Sequence, residues 1–176
     1  MKIESLSYVS IETTDLQEWD DYAKNVVGLM KNESLSDDHN LYLRMDEKAF
    51  RFHIQTGGSK KFIAAGLNIR GKEEFEVAKN ELTSANIEFA DFSDELIAAR
   101  CVKNGITLKD PAGNALEISY GGADADEPFL SPQDIKGFIT KGLGFGHVVF
   151  AAPDLESAHS FYLDILGFRD SDYMNF

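Results

Sequence analysis

Cysteine, long apolar runs and positive charge are scarce in this sequence. The single cysteine, Cys101, excludes an internal disulfide, and a reducing compartment is the simplest interpretation. No apolar run approaches the roughly 20 residues that a membrane-spanning helix needs. The first residues, Met1–Glu4, do not resemble the apolar core of a signal peptide. We therefore expect a cytoplasmic protein with no membrane partner.

The charge balance narrows the classes of partner further. The chain has 17 basic and 30 acidic residues, which gives a formal net charge of −13. A surface this acidic repels phosphate backbones, so we expect no nucleic-acid partner. Hydrophobic residues make up 43% of the 176 residues, which is enough for a sizeable core.

The stretch Gly142–Phe150 and the residues after it have the clearest pattern. His147 lies in a β-branched and aromatic run bounded by glycines, which predicts a short strand at 145–150. Asp154 is a candidate N-cap for a helix that Gly167 would end. We expect the apolar face of this helix to dock on the N-terminal domain or on a second copy, because burying each large side chain contributes about 1.5–3 kcal/mol.

The start of the chain repeats this pattern. Setting Tyr8 against His147 gives an offset of 147 − 8 = 139, and the same offset carries Asp15, Leu16 and Gly28 onto identical residue types. A repeat of this kind indicates that one structural module occurs more than once. The earlier copy has a phenol where the later copy has an imidazole.

Strand and helix patterns predict an α+β fold with paired βαβββ modules that form a cupped mixed sheet. We place the N-terminal domain at 1–120, as modules 1–58 and 62–120. The acidic, proline-containing segment 121–141 is a predicted linker, and 142–176 is the incomplete start of a further module.

The stretch Leu108–Gly121 resembles the Asp-Pro-x-Gly-Asn turn and following strand of the vicinal oxygen chelate superfamily. That superfamily includes glyoxalase I, bleomycin and fosfomycin resistance proteins and the type I extradiol dioxygenases. The order of segments is most similar to that of the extradiol enzymes, especially those like 2,3-dihydroxybiphenyl dioxygenase: two modules, an acidic linker and then Gly-Leu-Gly-x-x-His. The resemblance implies an enzyme that opens catechol-type aromatic diols with O2 in aromatic catabolism.

The resemblance also implies a cofactor. These enzymes hold Fe(II) with two histidines and one carboxylate and leave positions open for substrate and O2. His147 matches the first histidine ligand. The resemblance implies that 142–176 is the truncated start of the catalytic domain. The other ligands and the catalytic acid and base belong to the family's later modules, which we expect outside this chain. One imidazole cannot hold iron at useful affinity, so we expect the chain alone to be inactive and without metal.

Three other positions correspond to a metal site within the N-terminal domain. Glu117 stands where a complete superfamily site has its carboxylate, Tyr8 matches the first histidine, and the second histidine falls near Asn68. Such a set is poor for iron, so we interpret Glu117 as vestigial and structural.

The remaining histidines and the thiol favour structural roles. We expect His53 to be solvated or to line a cavity wall, His39 to be exposed in a turn, and His159 to pack along its helix. Cys101 lies in a strand predicted at 98–103, which favours a small buried hydrophobe over a nucleophile.

Two other function classes stay open. One is a glyoxalase-type enzyme with its site completed between subunits, although Tyr8 and Asn68 argue against it. The other is a metal-free module that holds a small aromatic molecule or drug in the cup of the sheet.

Exchange of the C-terminal segment between copies also predicts a homo-oligomer.

Overall fold

The computed structural model describes residues 1–141 and 143–173; Gly142 of the histidine motif and residues 174–176 lie outside this description. The elements of the first module are β1 (Ile3–Thr13), α1 (Leu16–Tyr22) with a π-helical turn (Ala23–Val27), β2 (Met30–Lys31), β3 (Asn40–Arg44) and β4 (Phe52–Thr56). The second module contains β5 (Lys61–Ile69), α2 (Lys72–Ser84), β6 (Phe89–Asp91), α3 (Asp94–Arg100), β7 (Asn104–Lys109) and β8 (Ala115–Tyr120). Then comes α4 (Leu155–Ser160), with a second π-helical turn (Phe161–Ile165). None of the helices in these described ranges is long and apolar enough to cross a membrane.

Within the described residues, the strands form one mixed sheet of eight in the order β2-β3-β4-β1-β5-β8-β7-β6. The modules join where β1 and β5 pair antiparallel. Each of these strands also pairs in parallel with the last strand of its own module, β1 with β4 and β5 with β8. The predicted α+β fold of two βαβββ modules in a cupped sheet is therefore confirmed.

The two faces of the sheet differ in character. One face carries α1 and α2 over apolar side chains, because alternate residues of each strand point towards the helices. The larger apolar cluster combines residues of β1, β5, β7 and β8 with the buried face of α2 (Leu6, Val9, Ala65, Leu67, Ile69, Phe75, Ala78, Leu82, Ile106, Leu108, Leu116 and Ile118). The opposite, concave face carries Tyr8, Ser10, His53 and Glu117 and is called the cup below.

The repeat is visible in the local structure of α1 and α4. Asp15 and Asp154 each accept a hydrogen bond from the backbone amide three residues on, at 2.9 and 3.1 Å. Each helix then passes into a π-helical turn. Gly28 and Gly167, at φ 85° and 74°, have the left-handed conformation that glycine adopts without strain. The pattern found at an offset of 139 therefore corresponds to the same capped helix.

The later helix docks on the N-terminal domain, which is one of the two placements that we expected. Phe161 and Leu166 are 4% and 0% exposed and belong to the larger apolar cluster. The hydroxyl of Tyr162 donates to Asp110 Oδ2 at 2.9 Å, which ties the helix to the turn before β8. Burial of this phenol and its bond to the carboxylate raise its pKa.

The strand predicted at 145–150 is wrong, because these residues have no strand pairing. The amide of Phe145 donates to the carbonyl of Leu6 at 3.0 Å. Its ring packs edge-on against Phe52, with centroids 4.7 Å apart. The apolar residues of the run are thus used for packing, although the run has no ladder of backbone hydrogen bonds among the described residues.

The strand predicted at 98–103 is also wrong. Asp94–Arg100 is a helix, and the side chain of Ser93 caps it by accepting from the amide of Leu96 at 3.3 Å. Cys101 follows in the left-handed region at φ 51° and ends the helix. The sequence does contain a signal for the start of this helix: a serine, two acidic residues and then helix-forming residues. The strand prediction did not take this signal into account.

The segment 121–141 runs along the first module with little regular structure. Arg44 Nη2 donates to the carbonyl of Glu127, and Ser131 Oγ donates to that of Gly28, both at 2.8 Å. These contacts fasten the segment to the module. The proposed domain boundaries at 120 and 142 stay a prediction.

Candidate functional site

Three neighbouring strands bring Tyr8, Gly66 and Glu117 to one place in the cup. Tyr8 pairs with Gly66 across β1 and β5, and Gly66 pairs with Glu117 across β5 and β8. A Cβ at position 66 would overlap the ring of Tyr8, so the absence of a side chain there makes room for the phenol. The phenol hydroxyl donates to Glu117 Oε2 at 2.5 Å. Tyr8 and Glu117, which the sequence analysis placed in one site, are therefore together.

Asn68 does not join them. Its side-chain amide donates to Glu4 Oε2 at 3.3 Å, in an exposed position. The register puts Gly66, two residues earlier, opposite Tyr8. The position expected to face Tyr8 was therefore wrong by two residues along β5. The register between two strands cannot be read from the sequence of one strand alone.

Arg100 completes the centre of the cup, and no pattern in the sequence pointed to it as a site residue. It is 4% exposed and reaches down from the last turn of α3. Nε donates to Glu117 Oε2 at 2.7 Å and Nη2 donates to Oε1 at 3.0 Å, so the guanidinium forms a two-pronged ion pair with the carboxylate. A buried carboxylate needs such a partner, because an isolated buried charge is very costly.

The buried pair shifts the protonation of its neighbours. Burial raises the pKa of Tyr8 well above its ordinary value, and the charge on Glu117 adds to the effect. For Arg100, burial alone would lower the pKa, but the hydrogen bonds and charge of Glu117 outweigh it and raise the pKa. The phenol therefore stays protonated as a donor and the guanidinium stays charged.

His53 is buried at 3% exposure, so of the two environments expected for it, solvent or a cavity wall, the first is wrong. Its Nδ1 lies 2.9 Å from Arg100 Nη1 and 3.0 Å from Ser10 Oγ, and its Nε2 lies 3.0 Å from Asn40 Oδ1. Because the guanidinium can only donate, Nδ1 accepts and Nε2 carries the proton. The ring also stacks on Tyr42, with centroids 4.6 Å apart.

Burial and, to a lesser extent, the charge on Arg100 lower the pKa of His53 to about 4, while the charge on Asp37 opposes the change. The imidazole is therefore neutral at pH 7. Histidine, arginine, carboxylate and phenol form one connected network that spans both modules.

This network leaves almost no space around the carboxylate of Glu117. The cavity beside Tyr8 and Arg100 has a volume of about 10 Å³. A pocket for a drug-sized molecule has roughly 300–1,000 Å³. The geometry therefore disfavours binding of an aromatic molecule beside this network. It also disfavours a glyoxalase-type site here, because Arg100 occupies the carboxylate that would bind a metal.

His147 lies elsewhere, exposed at the surface beside the start of β1. With Glu4, Ser5 and Leu67 it lines an open groove of about 400 Å³. Over residues 1–141 and 143–173, no three side chains among histidine, cysteine, aspartate and glutamate cluster closely enough to hold a metal ion. The described residues thus do not make an iron site around His147, and its role as a ligand stays a prediction.

The other singled-out residues have simpler surroundings. His39 is exposed in a turn, as predicted. His159 is exposed rather than packed, and its Nε2 lies 3.2 Å from Asp170 Oδ1. Cys101 is half-buried, and burial raises the pKa of its thiol, which lowers its reactivity.

Comparisons with known proteins give a consistent result. A family model described as dihydroxybiphenyl dioxygenase BphC D1 matches residues 6–57. The chain is 36% identical over 174 residues to an iron-dependent extradiol dioxygenase of Rhodococcus jostii, covering 99% of this chain and 57% of that protein. It is 36% identical over 176 residues to a biphenyl-2,3-diol 1,2-dioxygenase of a Pseudomonas species, covering 99% of this chain and 59% of that protein.

The fold comparison agrees. The crystal structure of a catechol 2,3-dioxygenase superposes with a TM-score of 0.89 and 32% identity, over 95% of this chain and 59% of that one. The chain spans less than two thirds of the length of each of these relatives. The resemblance that the sequence indicates is thereby confirmed: this chain matches the N-terminal part of the extradiol ring-cleaving dioxygenases of the vicinal oxygen chelate superfamily.

Proposed function

We propose that this chain is part of an extradiol ring-cleaving dioxygenase that opens catechol-type aromatic diols with O2. The observation that carries the proposal is the match over 99% of the chain, at 36% identity, to an iron-dependent extradiol dioxygenase. The relatives' names supply the reaction class and an aromatic diol as substrate class. The proposal also assigns the chain to aromatic catabolism in the cytoplasm, as part of a homo-oligomer.

The N-terminal domain has a structural role in this proposal. The place that a metal site would take is filled by the network of Tyr8, Glu117, Arg100 and His53, and the cavity beside it, of about 10 Å³, cannot hold a diol. What the domain offers instead is a rigid surface, on which Phe161 and Leu166 bury the later helix.

His147 is the residue that we propose takes part in iron binding. Its imidazole is exposed, and the backbone before it is held by the bond from Phe145 to Leu6. Iron bound to such a dioxygenase supplies the means to bring catecholate and O2 together and to pass electrons between them. His147 would contribute one nitrogen, and we derive no reaction step through iron because the described residues lack the other donors.

The test uses the natural open reading frame that contains this chain, purified with Fe(II) under exclusion of air. We expect cleavage of 2,3-dihydroxybiphenyl to a yellow product, followed by absorbance, and one iron per subunit by metal analysis. The variant His147→Ala should lose bound iron and at least 100-fold of the rate, since each histidine is one of only three protein ligands.

The matched control is His39→Ala, which removes another exposed histidine and should keep both iron and activity. Full iron binding in His147→Ala would refute the ligand role alone. An iron-loaded protein that does not cleave any of a panel of monocyclic and bicyclic catechols would refute the proposed reaction.

A further inference from the structure

The guanidinium of Arg100 lies in a cage that surrounds it with complementary groups. On one edge, Nε and Nη2 donate to the two carboxylate oxygens of Glu117, at 2.7 and 3.0 Å. On another edge, Nη1 donates to Nδ1 of His53 at 2.9 Å. The ring of Tyr8 faces the central carbon at 5.5 Å, within the range of a cation–π contact.

The cage is held by bonds that do not involve Arg100. Tyr8 donates to Glu117, and Asn40 and Ser10 lie at hydrogen-bond distance from the two ring nitrogens of His53. These groups stand on β1, β3, β4 and β8, which are paired strands of a single sheet. Their positions are therefore set by the sheet, and the cage should keep its shape when the arginine side chain is removed.

The chemistry of the cage selects a planar cation with several N–H donors. Glu117 and His53 contact nitrogens on different edges of the guanidinium. The distances from these nitrogens to the carboxylate oxygens and to Nδ1 are 2.7–3.0 Å. A single transition-metal ion needs both donors at about 2.0–2.2 Å from one point, whereas here each donor contacts a different nitrogen of the guanidinium. A guanidinium ion fits the spacing as it stands.

We propose that the cup is a guanidinium-binding site built jointly by the two modules, for which Arg100 is the built-in ligand. A chain that lacks this side chain should bind a free guanidinium ion at the same place. This inference rests on the contacts within the cup and is independent of the proposed function.

The test is chemical rescue of Arg100→Ala. Its thermal unfolding midpoint should lie below that of the unchanged protein and rise with added methylguanidinium chloride until the effect saturates. At ten times the dissociation constant, binding should raise the midpoint by about 3–6 °C for a chain of this size. The unchanged protein should show no such rise, because its own arginine fills the site.

Matched controls separate the site from general effects. Potassium chloride at equal concentration tests ionic strength. Arg44→Ala removes another arginine, which is 2% exposed and donates to the backbone carbonyls of Asp46 and Glu127 rather than to a carboxylate; it should not be rescued. Zinc chloride with Arg100→Ala tests the metal alternative and should give no saturable rise.

Rescue of Arg44→Ala to the same extent, or an equal effect of potassium chloride, would overturn the proposal. So would rescue that persists in the double variant Arg100→Ala/Glu117→Gln. If Arg100→Ala does not fold on expression, its refolding from urea gives a second measurement. The proposal requires a higher yield with millimolar methylguanidinium than with potassium chloride, and equal yields would contradict it.

Discussion

The buried imidazole of His53 makes the stability of the protein depend on pH between 6.5 and 4. In the unfolded chain the ring takes up a proton near its ordinary pKa of 6.5, whereas in the folded protein its pKa is about 4. Above pH 6.5 the ring is neutral in both states, and its contribution to stability is complete. As the pH falls below 6.5, the unfolded chain binds the proton first, so the free energy of unfolding falls.

The magnitude follows from the gap of about 2.5 pH units between 6.5 and 4. At about 1.36 kcal/mol for each unit, the loss is about 3 kcal/mol, most of it complete by pH 4.5. Such a loss is a large share of the roughly 5–15 kcal/mol that stabilises a typical domain. The main physical cause is burial, which disfavours the charged imidazolium. The second cause is that a proton on Nδ1 would face Arg100 Nη1, a cationic donor only 2.9 Å away.

The assay is urea unfolding at several pH values from 7.5 to 4.5, for the unchanged protein and for His53→Asn. Asparagine does not titrate, so the free-energy difference between the two proteins should shrink by about 2.5 kcal/mol over this range. His39→Asn, a change in an exposed turn, is the matched control and should keep the pH dependence of the unchanged protein. A difference between His53→Asn and the unchanged protein that is constant with pH would refute the reasoning, as would a titration of His53 by NMR with a midpoint near 6.5.

Three further changes test the packing of the fold. Glu117→Gln should lower the free energy of unfolding by roughly 3–5 kcal/mol in urea, because it leaves the buried guanidinium without its counter-charge; a loss below 1 kcal/mol would show that the pair is unimportant. Gly66→Ala should cost about 1–3 kcal/mol because its methyl overlaps a buried ring, whereas Gly58→Ala, which meets nothing within 4 Å, is the control and should cost far less. Asp154→Ala should lose about 1 kcal/mol of capping energy and speed amide exchange in α4, and unchanged exchange rates would contradict the cap.

Local patterns were enough to predict most elements of the modules, with α3 and the run at 145–150 as the exceptions. The order of strands, the helix caps and the glycines that end α1 and α4 depend on neighbours within a few residues, and the sequence contains all of them. The 139-residue offset made the third copy visible although few of its other residues are identical. The pairing of the two modules was expected, whereas the strands that join them, β1 and β5, came only from the structure.

The contents of the cup could not be predicted in the same way. Arg100 reaches Glu117 across 17 positions and His53 across 47, so no window of sequence shows them together. His53 lies between apolar residues on β4, a pattern that is typical of a strand with one solvated face. The face that carries His53 is buried because of side chains from other elements, which the sequence of β4 does not show. The misplacement of Asn68 has the same origin, because strand register is a property of pairs.

The crowded contact between Tyr8 and Gly66 has a consequence for how this domain can change over time. A metal centre at this place would require a ligand at position 66, a smaller or different side chain at position 8, and the loss of Arg100 from the carboxylate. A ligand at position 66 taken first overlaps the ring of Tyr8, and loss of Arg100 taken first leaves the charge of Glu117 uncompensated, so the effects of these substitutions are strongly non-additive. Gain of a metal centre here therefore requires several coupled substitutions, which the contact between Tyr8 and Gly66 distributes over both modules.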